Sequence, residues 1–289
     1  MARRGGCVHG IESLRAQFRE RTGYDLNLEA PRTYCEKIQW RKVNDRRTML
    51  PRYADKIAAR EIVAERIGTD HLVPSPYSCY REPSKEEIKA YMLEPCVIKA
   101  AHGCAWEIFQ GAGGQYLDAK QVRARIDTWL SSTYGADKLQ WADSQIQPGV
   151  LVEQTMSYRG GQPPLVKLYV FDGVARIGKV IEHGKHTATT RAKPKSVTWH
   201  DRDGTMLEIR LSHIPAAGDP APAEYTRCVD ISEWLGSGID HVRVDWLLTD
   251  EGVRFSEFEW YPTSGMFRFE PPEWDRTMGA WWTLPQEGL

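Results

Sequence analysis

The chain has 289 residues, of which 41% are hydrophobic and 27% are charged, a composition typical of a globular protein. Because single domains usually have roughly 100–200 residues, this length allows one elaborated domain or two to three interlocked lobes. The 38 Lys and Arg residues and 39 Asp and Glu residues leave a net charge of −1 with no basic block, which argues against a nucleic-acid partner.

The first residues and the cysteines indicate the compartment. Arg3 and Arg4 are not followed by an apolar stretch, so we expect no signal peptide. The six cysteines are scattered without a C-x-x-C pair, which favours buried thiols over a zinc ribbon or a disulfide framework. No apolar run approaches the roughly 20 residues that a membrane helix needs, so we expect no membrane span. Together these features predict a cytoplasmic protein.

Apolar residues at helical spacing predict the first elements. The predicted helices cover residues 11–22, 54–67, 84–91 and 118–134. In the second of these, Ala59, Val63 and Ile67 recur every four residues. In the last, Asp118 and Gln121 stand where an N-terminal cap is expected.

Segments rich in β-forming residues follow. The predicted strands cover residues 96–100, 150–155, 165–171, 174–182, 242–248 and 253–259, with hairpin turns at 172–173 and 250–252. The basic stretch 183–202 is predicted to be a mobile loop, 215–222 a linker and 225–235 a helix, before a tail rich in proline and tryptophan. Helices followed by hairpins predict an α+β fold with an antiparallel sheet.

The second predicted hairpin carries the charge pattern that most suggests chemistry. Side chains alternate faces along a strand, so Arg243 and Asp245 share one face, as do Glu257 and Glu259 on the partner strand. If the turn pairs the strands in register, three carboxylates and one guanidinium form a single patch. Clustered carboxylates repel one another unless a cation lies between them, and oxygen ligands suit Mg²⁺ or Mn²⁺. The alternative is the solvated outer face of a hairpin, where alternating charge is common.

Lys99 lies inside an apolar predicted strand. An ammonium group buried without a partner costs several kcal/mol, so this lysine needs an anion. A phosphate held at the following Ala101-His102-Gly103 turn would supply one. This turn is much less specific than a P-loop, and neither the P-loop motif nor G-x-G-x-x-G occurs in the sequence. The alternative is a lysine at a strand edge with its ammonium group in water.

Several short segments are informative as an ordered set. They are YADK at 53–56 with Arg60, VIKAAHG at 97–103, LVEQ at 151–154, VKLYVFDG at 166–173, VRVD at 242–245, and EFE at 257–259 leading to YPTSG at 261–265. In this order they resemble the ATP-grasp enzymes, and within these the teichuronopeptide-biosynthesis (TupA-like) branch. The resemblance extends over residues 40–281, and its specificity comes from the ordered set, since no single motif is specific.

The resemblance implies a fold of two α+β lobes whose antiparallel sheets clamp ATP, preceded by a helical N-terminal segment. It divides the chain into an N-terminal helical, substrate-side region at residues 1–75, a first ATP-grasp lobe at 76–150 and a second lobe with the metal site at 151–289. These boundaries are expectations drawn from the family.

The resemblance also implies roles for individual residues. Lys99 and Arg243 would be catalytic, with Lys99 holding phosphate oxygens of ATP and Arg243 facing the transferring γ-phosphoryl group. The implied magnesium ligands, for which Mn²⁺ is the alternative ion, are Asp245, Glu257 and Glu259. The positions that would contact ATP are Lys56, Lys99, His102, Gly103, Glu153, Gln154, Thr155 and Lys167.

The chain departs from the branch pattern at three places near the expected nucleotide. It has Ala101 where the branch prefers Asn, Cys104-Ala105 where it prefers Ser-Gly, and Leu165-Val166 where it prefers Asp-Tyr. A lost glycine stiffens the loop over the phosphates, and the missing acid leaves the ribose contact unassigned. Glu259 stands where many ATP-grasp enzymes carry Asn, and its carboxylate is a competent oxygen ligand.

The function implied is an ATP-dependent carboxylate–amine ligase that forms an amide or peptide bond through an acyl phosphate. The expected partners are small-molecule carboxylate and amine substrates, with an amino acid or a glycan precursor among them; the oligomeric state is open. The stretch 183–202 would then be a lid or a carboxylate-binding element, and the alternative is a solvated linker. Two alternatives remain, which are a kinase that phosphorylates a small-molecule or sugar hydroxyl and a nucleotide-binding module without turnover.

Overall fold

The computed structural model describes residues 3–211 and 220–286 of the chain. Within these ranges the helices are α1 (Arg3–Thr22), α2 (Tyr34–Asn44), α3 (Met49–Ala54), α4 (Lys56–Ile67), α5 (Lys85–Tyr91), α6 (Ala119–Leu130), α7 (Trp141–Ser144), α8 (Tyr225–Gly236) and α9 (Glu273–Trp281). The strands are β1 (Tyr77–Cys79), β2 (Cys96–Ala100), β3 (Glu107–Gln110), β4 (Val150–Gln154), β5 (Leu165–Phe171), β6 (Val174–His183), β7 (Pro194–Asp201), β8 (Met206–Leu207), β9 (Arg210–Leu211), β10 (His241–Thr249), β11 (Gly252–Glu259) and β12 (Phe269–Glu270). Across both ranges, no helix combines the length and the apolar character needed to cross a membrane.

Four helices precede the first strand, two of which the sequence did not predict. α2 begins at a capping box in which Thr33 and Glu36 each accept a hydrogen bond from the other's backbone amide. Asp55 has an extended backbone and separates α3 from α4, and its side chain accepts a hydrogen bond from the Ile57 amide. The helix predicted over 54–67 therefore begins at Lys56 rather than at residue 54.

A small lobe contains an antiparallel sheet in the order β1-β4-β2-β3. The amphipathic face of α6 covers this sheet, and Val122 and Ile126 are fully buried with Ile98 and Val152 in a separate core. α6 ends at Leu130, four residues before the predicted end. β3 was not predicted, because its four buried residues form too short a run to show a strand period.

A larger lobe contains an antiparallel sheet of six strands in the order β11-β10-β5-β6-β7-β8. Both predicted hairpins are present, joining β5 to β6 and β10 to β11. Near the end of the chain, a 3₁₀ turn at Pro262–Gly265 is followed by β12 and α9, so the tail also has regular structure. The α+β architecture with antiparallel sheets is confirmed.

The prediction of a loop over residues 183–202 is wrong for its second half. Residues 194–201 form β7, which pairs with β6 and buries Val197 and Trp199. The lysines at 193 and 195 make this window look solvated, but the residues from Val197 to His200 that follow them are buried. Residues 184–193 have no regular strand or helix. Of the predicted linker at 215–222, residues 215–219 lie outside the described residues.

The two lobes have separate hydrophobic cores. α1 to α4 share one core with the large sheet, to which Phe18, Ile38 and Val63 contribute alongside Val244 and Trp246. The small lobe has its own core. The division of the chain at residues 75 and 150 stays a prediction, although the N-terminal helices pack on the large lobe and not as a separate unit.

Candidate active site

The charged patch predicted on the second hairpin is present in the expected register. Asp245 lies opposite Glu257, and Arg243 lies opposite Glu259, on the antiparallel pair β10 and β11. On the other side of β10, Asp245 lies opposite Lys167 of β5. A charged row therefore crosses three strands on one face of the large sheet, from Glu257 through Asp245 to Lys167.

Asp245 is held between two cations. Its carboxylate accepts hydrogen bonds from Arg243 Nε at 2.6 Å, from Arg243 Nη2 at 2.7 Å and from Lys167 Nζ at 2.6 Å. Its exposed fraction is only 1%. Burial alone would raise the pKa of Asp245, but Arg243 and Lys167 outweigh it and hold the pKa below its usual range.

The two glutamates of β11 are less tightly held. Glu257 lies 3.7 Å from Arg243 Nη2 and 3.8 Å from Lys56 Nζ, beyond hydrogen-bond distance from both. Glu259 accepts a hydrogen bond of 2.8 Å from the Tyr261 amide and lies 3.9 Å from Arg243. Burial raises the pKa of Glu259, Arg243 opposes the rise, and the nearby negative charge of Glu257 adds to it.

The carboxylates of this patch have the chemistry that a hard cation requires, although they are not arranged as a metal centre. Among the described residues, no group of three or more His, Cys, Asp or Glu side chains stands in a metal-holding arrangement. The reason is local, because both oxygens of Asp245 are occupied by Arg243 and Lys167. Glu257 makes no side-chain hydrogen bond within the described residues, so its oxygens remain available to a ligand. The predicted metal set fits a divalent cation by donor type.

Lys99 has the anionic partner that its sequence context required, and that partner is a carboxylate. Its Nζ lies 2.5 Å from Glu153 Oε2, while Arg60 Nη1 lies 2.9 Å from Glu153 Oε1. The Lys99 side chain is only 12% exposed, so the alternative of a solvated edge lysine is wrong. Lys99 and Arg60 together neutralise a glutamate that is itself buried.

A cavity of about 240 Å³ separates the two lobes beside this ion pair. From the small lobe, Lys99, Glu153, Gln154 and Thr155 line it together with Val97 and Phe109; from the large lobe come Leu165, Leu247 and Ser256. The cavity is mainly apolar with a few charged groups in its lining, the composition typical of sites that bind small molecules and cofactors.

The segment 184–193 closes one side of this cavity. Arg191 donates to both carboxylate oxygens of Glu107 on β3, at 2.8 Å and 2.7 Å. The Phe109 amide donates to the Ala188 carbonyl oxygen at 3.0 Å. Arg191 and His186 also line the cavity. Sequence reasoning missed these cavity residues because the contact joins positions 84 apart in the chain.

Lys56 bridges the two lobes. Its Nζ donates to the Gly103 carbonyl oxygen at 2.7 Å and lies 3.8 Å from Glu257. The ring of the buried His102 points into the small lobe, where Nδ1 accepts from the Gly149 amide at 3.4 Å and Nε2 lies 2.9 Å from the Trp129 carbonyl oxygen. Burial lowers the pKa of His102. Its ring is therefore engaged within the lobe, so only the backbone at this position is free to meet a nucleotide.

The glycine after His102 is required by packing. A Cβ at Gly103 would overlap the ring of Trp106. A side chain here would force either the ring or the turn to move.

A narrow cleft of about 40 Å³ joins the turn of the small lobe to the charged row. The predicted site residues that line it are Lys56, His102, Gly103, Glu257 and Glu259. Arg243, Asp245 and Lys167 are buried in the large sheet and do not line the cleft. Lys99, Glu153, Gln154 and Thr155 line the neighbouring larger cavity instead. Two neighbouring spaces thus share the other predicted residues, while Arg243, Asp245 and Lys167 line neither.

Three ionisable residues near the charged row were missed by sequence reasoning. Burial raises the pKa of Asp143 to about 8, and nearby Glu259 adds to the rise. Burial lowers the pKa of Lys42 to about 7. Lys179 lies opposite Lys167 and over the ring of Trp199, and burial lowers its pKa too. Asp143 and Lys42 lie outside the matched motifs, so no sequence feature marked them.

Two antiparallel lobes that face each other across a cavity, with a charged row on the sheet of the larger lobe, are the architecture of the ATP-grasp class. The model of the TupA-like ATP-grasp family matches residues 36–283. Because the match covers most of the chain, the protein belongs to this family. The expected fold is confirmed.

Similar solved structures include several ATP-grasp ligases. D-alanine–D-alanine ligase from Bacillus anthracis is 15% identical, with a TM-score of 0.41 over 80% of this chain and 64% of that one. The ATP-grasp ligase PsnB, in a complex with a minimal precursor, is 13% identical, with a TM-score of 0.38 over 74% of this chain and 53% of that one. The VanG D-Ala:D-Ser ligase from Enterococcus faecalis is 16% identical, with a TM-score of 0.40 over 72% and 52%.

The chain spans between 52% and 64% of the length of these three proteins. No curated protein matches it.

Proposed function

We propose that this protein is a cytoplasmic ATP-dependent ligase that joins a carboxylate to an amine through an acyl phosphate, with an amino acid as one substrate. Membership of the TupA-like ATP-grasp family supports the use of ATP. The single observation that carries the proposal is the row of Glu257, Asp245 and Lys167 across three strands, with Arg243 beside it and Glu257 lining the cleft that meets the small lobe. Such a row suits binding and transfer of a phosphoryl group.

In this proposal, the adenine ring occupies the cavity of about 240 Å³ between the lobes, against the end of β4 at Gln154 and Thr155. Lys99 and Lys56 would hold phosphate oxygens. Lys99 can do so without leaving Glu153 uncompensated, because Arg60 also pairs with that carboxylate at 2.9 Å. Lys56 lies at the cleft where the turn of the small lobe meets Glu257.

Glu257, Glu259 and Asp245 would hold Mg²⁺, with Mn²⁺ as the alternative ion. A divalent cation supplies positive charge that offsets the negative charge of the phosphates. Glu257 fits this role best, since it has no hydrogen-bond partner of its own among the described side chains. Asp245 would exchange part of its contact with Lys167 or Arg243 for the new ligand, and the released cation would turn to the phosphates.

The chemistry follows from positioning and electrostatics. A carboxylate oxygen of the substrate attacks the γ-phosphorus, the bond from that phosphorus to the ADP oxygen breaks, and an acyl phosphate forms. The amine nitrogen then attacks the acyl carbon, the carbon–oxygen bond to phosphate breaks, and the amine loses a proton. Arg243 would neutralise charge on the equatorial phosphoryl oxygens in the first step.

The test is incubation of the protein with ATP, Mg²⁺ and mixtures of carboxylates and amines. Phosphate release that depends on both a carboxylate and an amine, with an amide product found by mass spectrometry, is the expected result. A stable phosphorylated hydroxyl compound would identify a kinase instead. ATP binding without any turnover would identify a nucleotide-binding module.

A further inference from the structure

We infer that a second cavity, beside Glu259, binds the amine substrate as an α-amino acid, with Lys42 receiving its carboxylate and Asp143 its ammonium group. This inference deepens the proposed ligase function and depends on it for the role of the bound molecule. The cavity, Lys42 on its wall and Asp143 in the adjoining cleft are features of the structure alone.

The cavity has a volume of about 600 Å³, which exceeds that of any single amino acid. It lies between α1, the region preceding α7 and the 3₁₀ turn at 262–265. Glu259 lines this cavity and also the cleft that contains Lys56 and Glu257. Cys104, Tyr134 and Gln140 line both spaces as well, so the cavity opens directly towards the proposed phosphoryl-transfer site.

Lys42 supplies an ammonium group that lacks an anion. It is 1% exposed, and its Nζ donates to the Ser264 carbonyl oxygen at 2.7 Å and to Ser264 Oγ at 2.6 Å. Within the described residues no carboxylate lies in ion-pair distance of it. Neutral oxygens compensate a buried charge only partly, and an ammonium group has a third donor. A substrate carboxylate in the cavity would complete the set.

The turn that holds Lys42 is built in a strained conformation. Thr263 and Ser264 have φ angles of 51° and 57°, in the left-handed region that residues other than glycine rarely adopt. Both residues line the cavity. Backbone strain of this kind persists where the surroundings fix it, often at ligand sites. Here both the main-chain and the side-chain oxygen of Ser264 accept hydrogen bonds from Lys42.

Asp143 supplies a carboxyl group, whose protonated form is favoured by burial and whose charged form would be favoured by a ligand ammonium group beside it. It lies on α7, lines the cleft that joins the cavity, and has neither a side-chain hydrogen bond nor an ion pair in the described parts of the chain. Lys42 and Asp143 influence each other electrostatically but are not within ion-pair distance. A ligand with both charges would satisfy both groups at once. An α-amino acid has that pair of charges, whereas a simple amine or an amino sugar has only the positive one.

The experiment measures binding to the full chain in the presence of Mg²⁺ and a non-hydrolysable ATP analogue. The probes are the protein amino acids in both enantiomeric forms, each compared with its decarboxylated amine and with its N-acetyl derivative. We expect at least one amino acid to bind, with both matched derivatives at least about tenfold weaker. Failure of every amino acid to bind would overturn the inference.

Substitutions then assign the two charges. Lys42→Met should abolish the preference in binding for the amino acid over its decarboxylated amine. Asp143→Asn should abolish the preference in binding for the amino acid over its N-acetyl derivative. Lys37→Met is the matched control, because Lys37 lies on the same helix and donates to main-chain oxygens of Gly279 and Trp282, away from the cavity. An unchanged preference in Lys42→Met, or an equal loss in Lys37→Met, would contradict the assignment.

A third variant keeps the test decisive if Lys42→Met does not fold. Ser13 is an exposed residue of α1 that lines the cavity, so Ser13→Trp fills the space from outside the core. We expect it to abolish amino-acid binding and leave binding of the ATP analogue unchanged. Retained amino-acid binding would place the ligand elsewhere and overturn the inference.

Measurement of ADP formation distinguishes a failure of this inference from a failure of the ligase proposal. Amino-acid binding that depends on Lys42, without ADP formation with any carboxylate, would sink the ligase proposal and keep the cavity assignment. ADP formation with an amino sugar, when no amino acid binds, would keep the ligase and reject the cavity assignment.

Discussion

At the scale of single residues, the site depends on how differently its carboxylates are compensated. Asp245 is buried and receives three hydrogen bonds from Arg243 and Lys167, whereas Glu257 receives none from any described side chain. Removing one member of a buried ion pair leaves the other members uncompensated. Substitutions at the two positions should therefore affect stability differently, even though both residues belong to the proposed metal set.

Glu257→Gln tests the metal site with little effect on the fold. Because Glu257 makes no side-chain hydrogen bond with any residue that the structure describes, we expect the free energy of unfolding to change by less than about 0.5 kcal/mol. ATP turnover should fall by at least about a hundredfold, because a charged ligand to the cation is lost. Glu251→Gln is the control, since Glu251 is an exposed residue in the turn of the same hairpin. Full activity of Glu257→Gln would remove this residue from the site.

Asp245→Asn should abolish turnover and also destabilise the protein. The substitution leaves Arg243 and Lys167 buried without their shared anion, a loss of about 3–5 kcal/mol by analogy with other broken buried pairs. Urea denaturation monitored by tryptophan fluorescence measures the change. A variant as stable as the parent chain would contradict the view that Asp245 compensates both cations.

At the scale of elements, the segment 184–193 and strand β3 close one side of the interlobe cavity, where we propose that ATP binds. The segment contacts the small lobe through the ion pair between Arg191 and Glu107 and through the hydrogen bond from the Phe109 amide. It emerges from β6 and returns into β7, both of which belong to the large lobe. One short segment therefore connects the two lobes across the cavity, the position expected of a lid.

Glu107→Gln should weaken this closure. The Arg191 side chain is 42% exposed, so water compensates it and we expect little change in overall stability. The affinity for ATP should fall several-fold, and amide hydrogen exchange of residues 184–193 should rise. Arg202→Gln is the control, because it breaks an exposed ion pair with Glu233 at the far end of β7. Equal effects of both substitutions on ATP affinity would exclude a lid.

At the scale of the whole molecule, Asp240 joins regions that are distant in sequence. It lies 2.5 Å from Arg41 Nη2 and 2.9 Å from Arg47 Nη2, and it accepts a hydrogen bond of 2.8 Å from Trp282 Nε1. The N-terminal helices and the end of the chain thus meet at the start of β10. Burial alone would raise the pKa of Asp240, but Arg41 and Arg47 outweigh it and lower the pKa to about 2.

The depressed pKa predicts a specific dependence of stability on pH. A carboxylate whose pKa is lower in the folded state contributes stability above its unfolded pKa of about 3.9, and this is lost as the pH falls through the folded value. The contribution is of the order of 2 kcal/mol. The stability difference between the parent chain and Asp240→Asn should therefore be largest above pH 4 and shrink towards pH 2. Urea denaturation at several pH values measures it, and a difference independent of pH would contradict the ion-pair explanation.

The sequence by itself determined the elements whose pattern is local. The periods of apolar residues gave the amphipathic face of α6, and the turn residues at 172–173 and 250–252 specified the two hairpins. Alternation along a strand also predicted that Arg243 and Asp245 would share a face with each other, and Glu257 with Glu259, in one charged patch. These features follow from interactions between residues close in the chain, so a sequence pattern can report them.

Only the tertiary structure decided which charges are compensated and by what. Glu153 reaches Lys99 from a strand 54 residues away, and Arg191 reaches Glu107 across 84 residues. Lys42 likewise donates a hydrogen bond to Ser264, which lies 222 residues away in the chain. No local period marks such pairs, because each arises where separate elements pack together. The ordered motifs indicated a site for phosphoryl chemistry, and the packing of the lobes determined which of its charged groups remain free to bind a ligand.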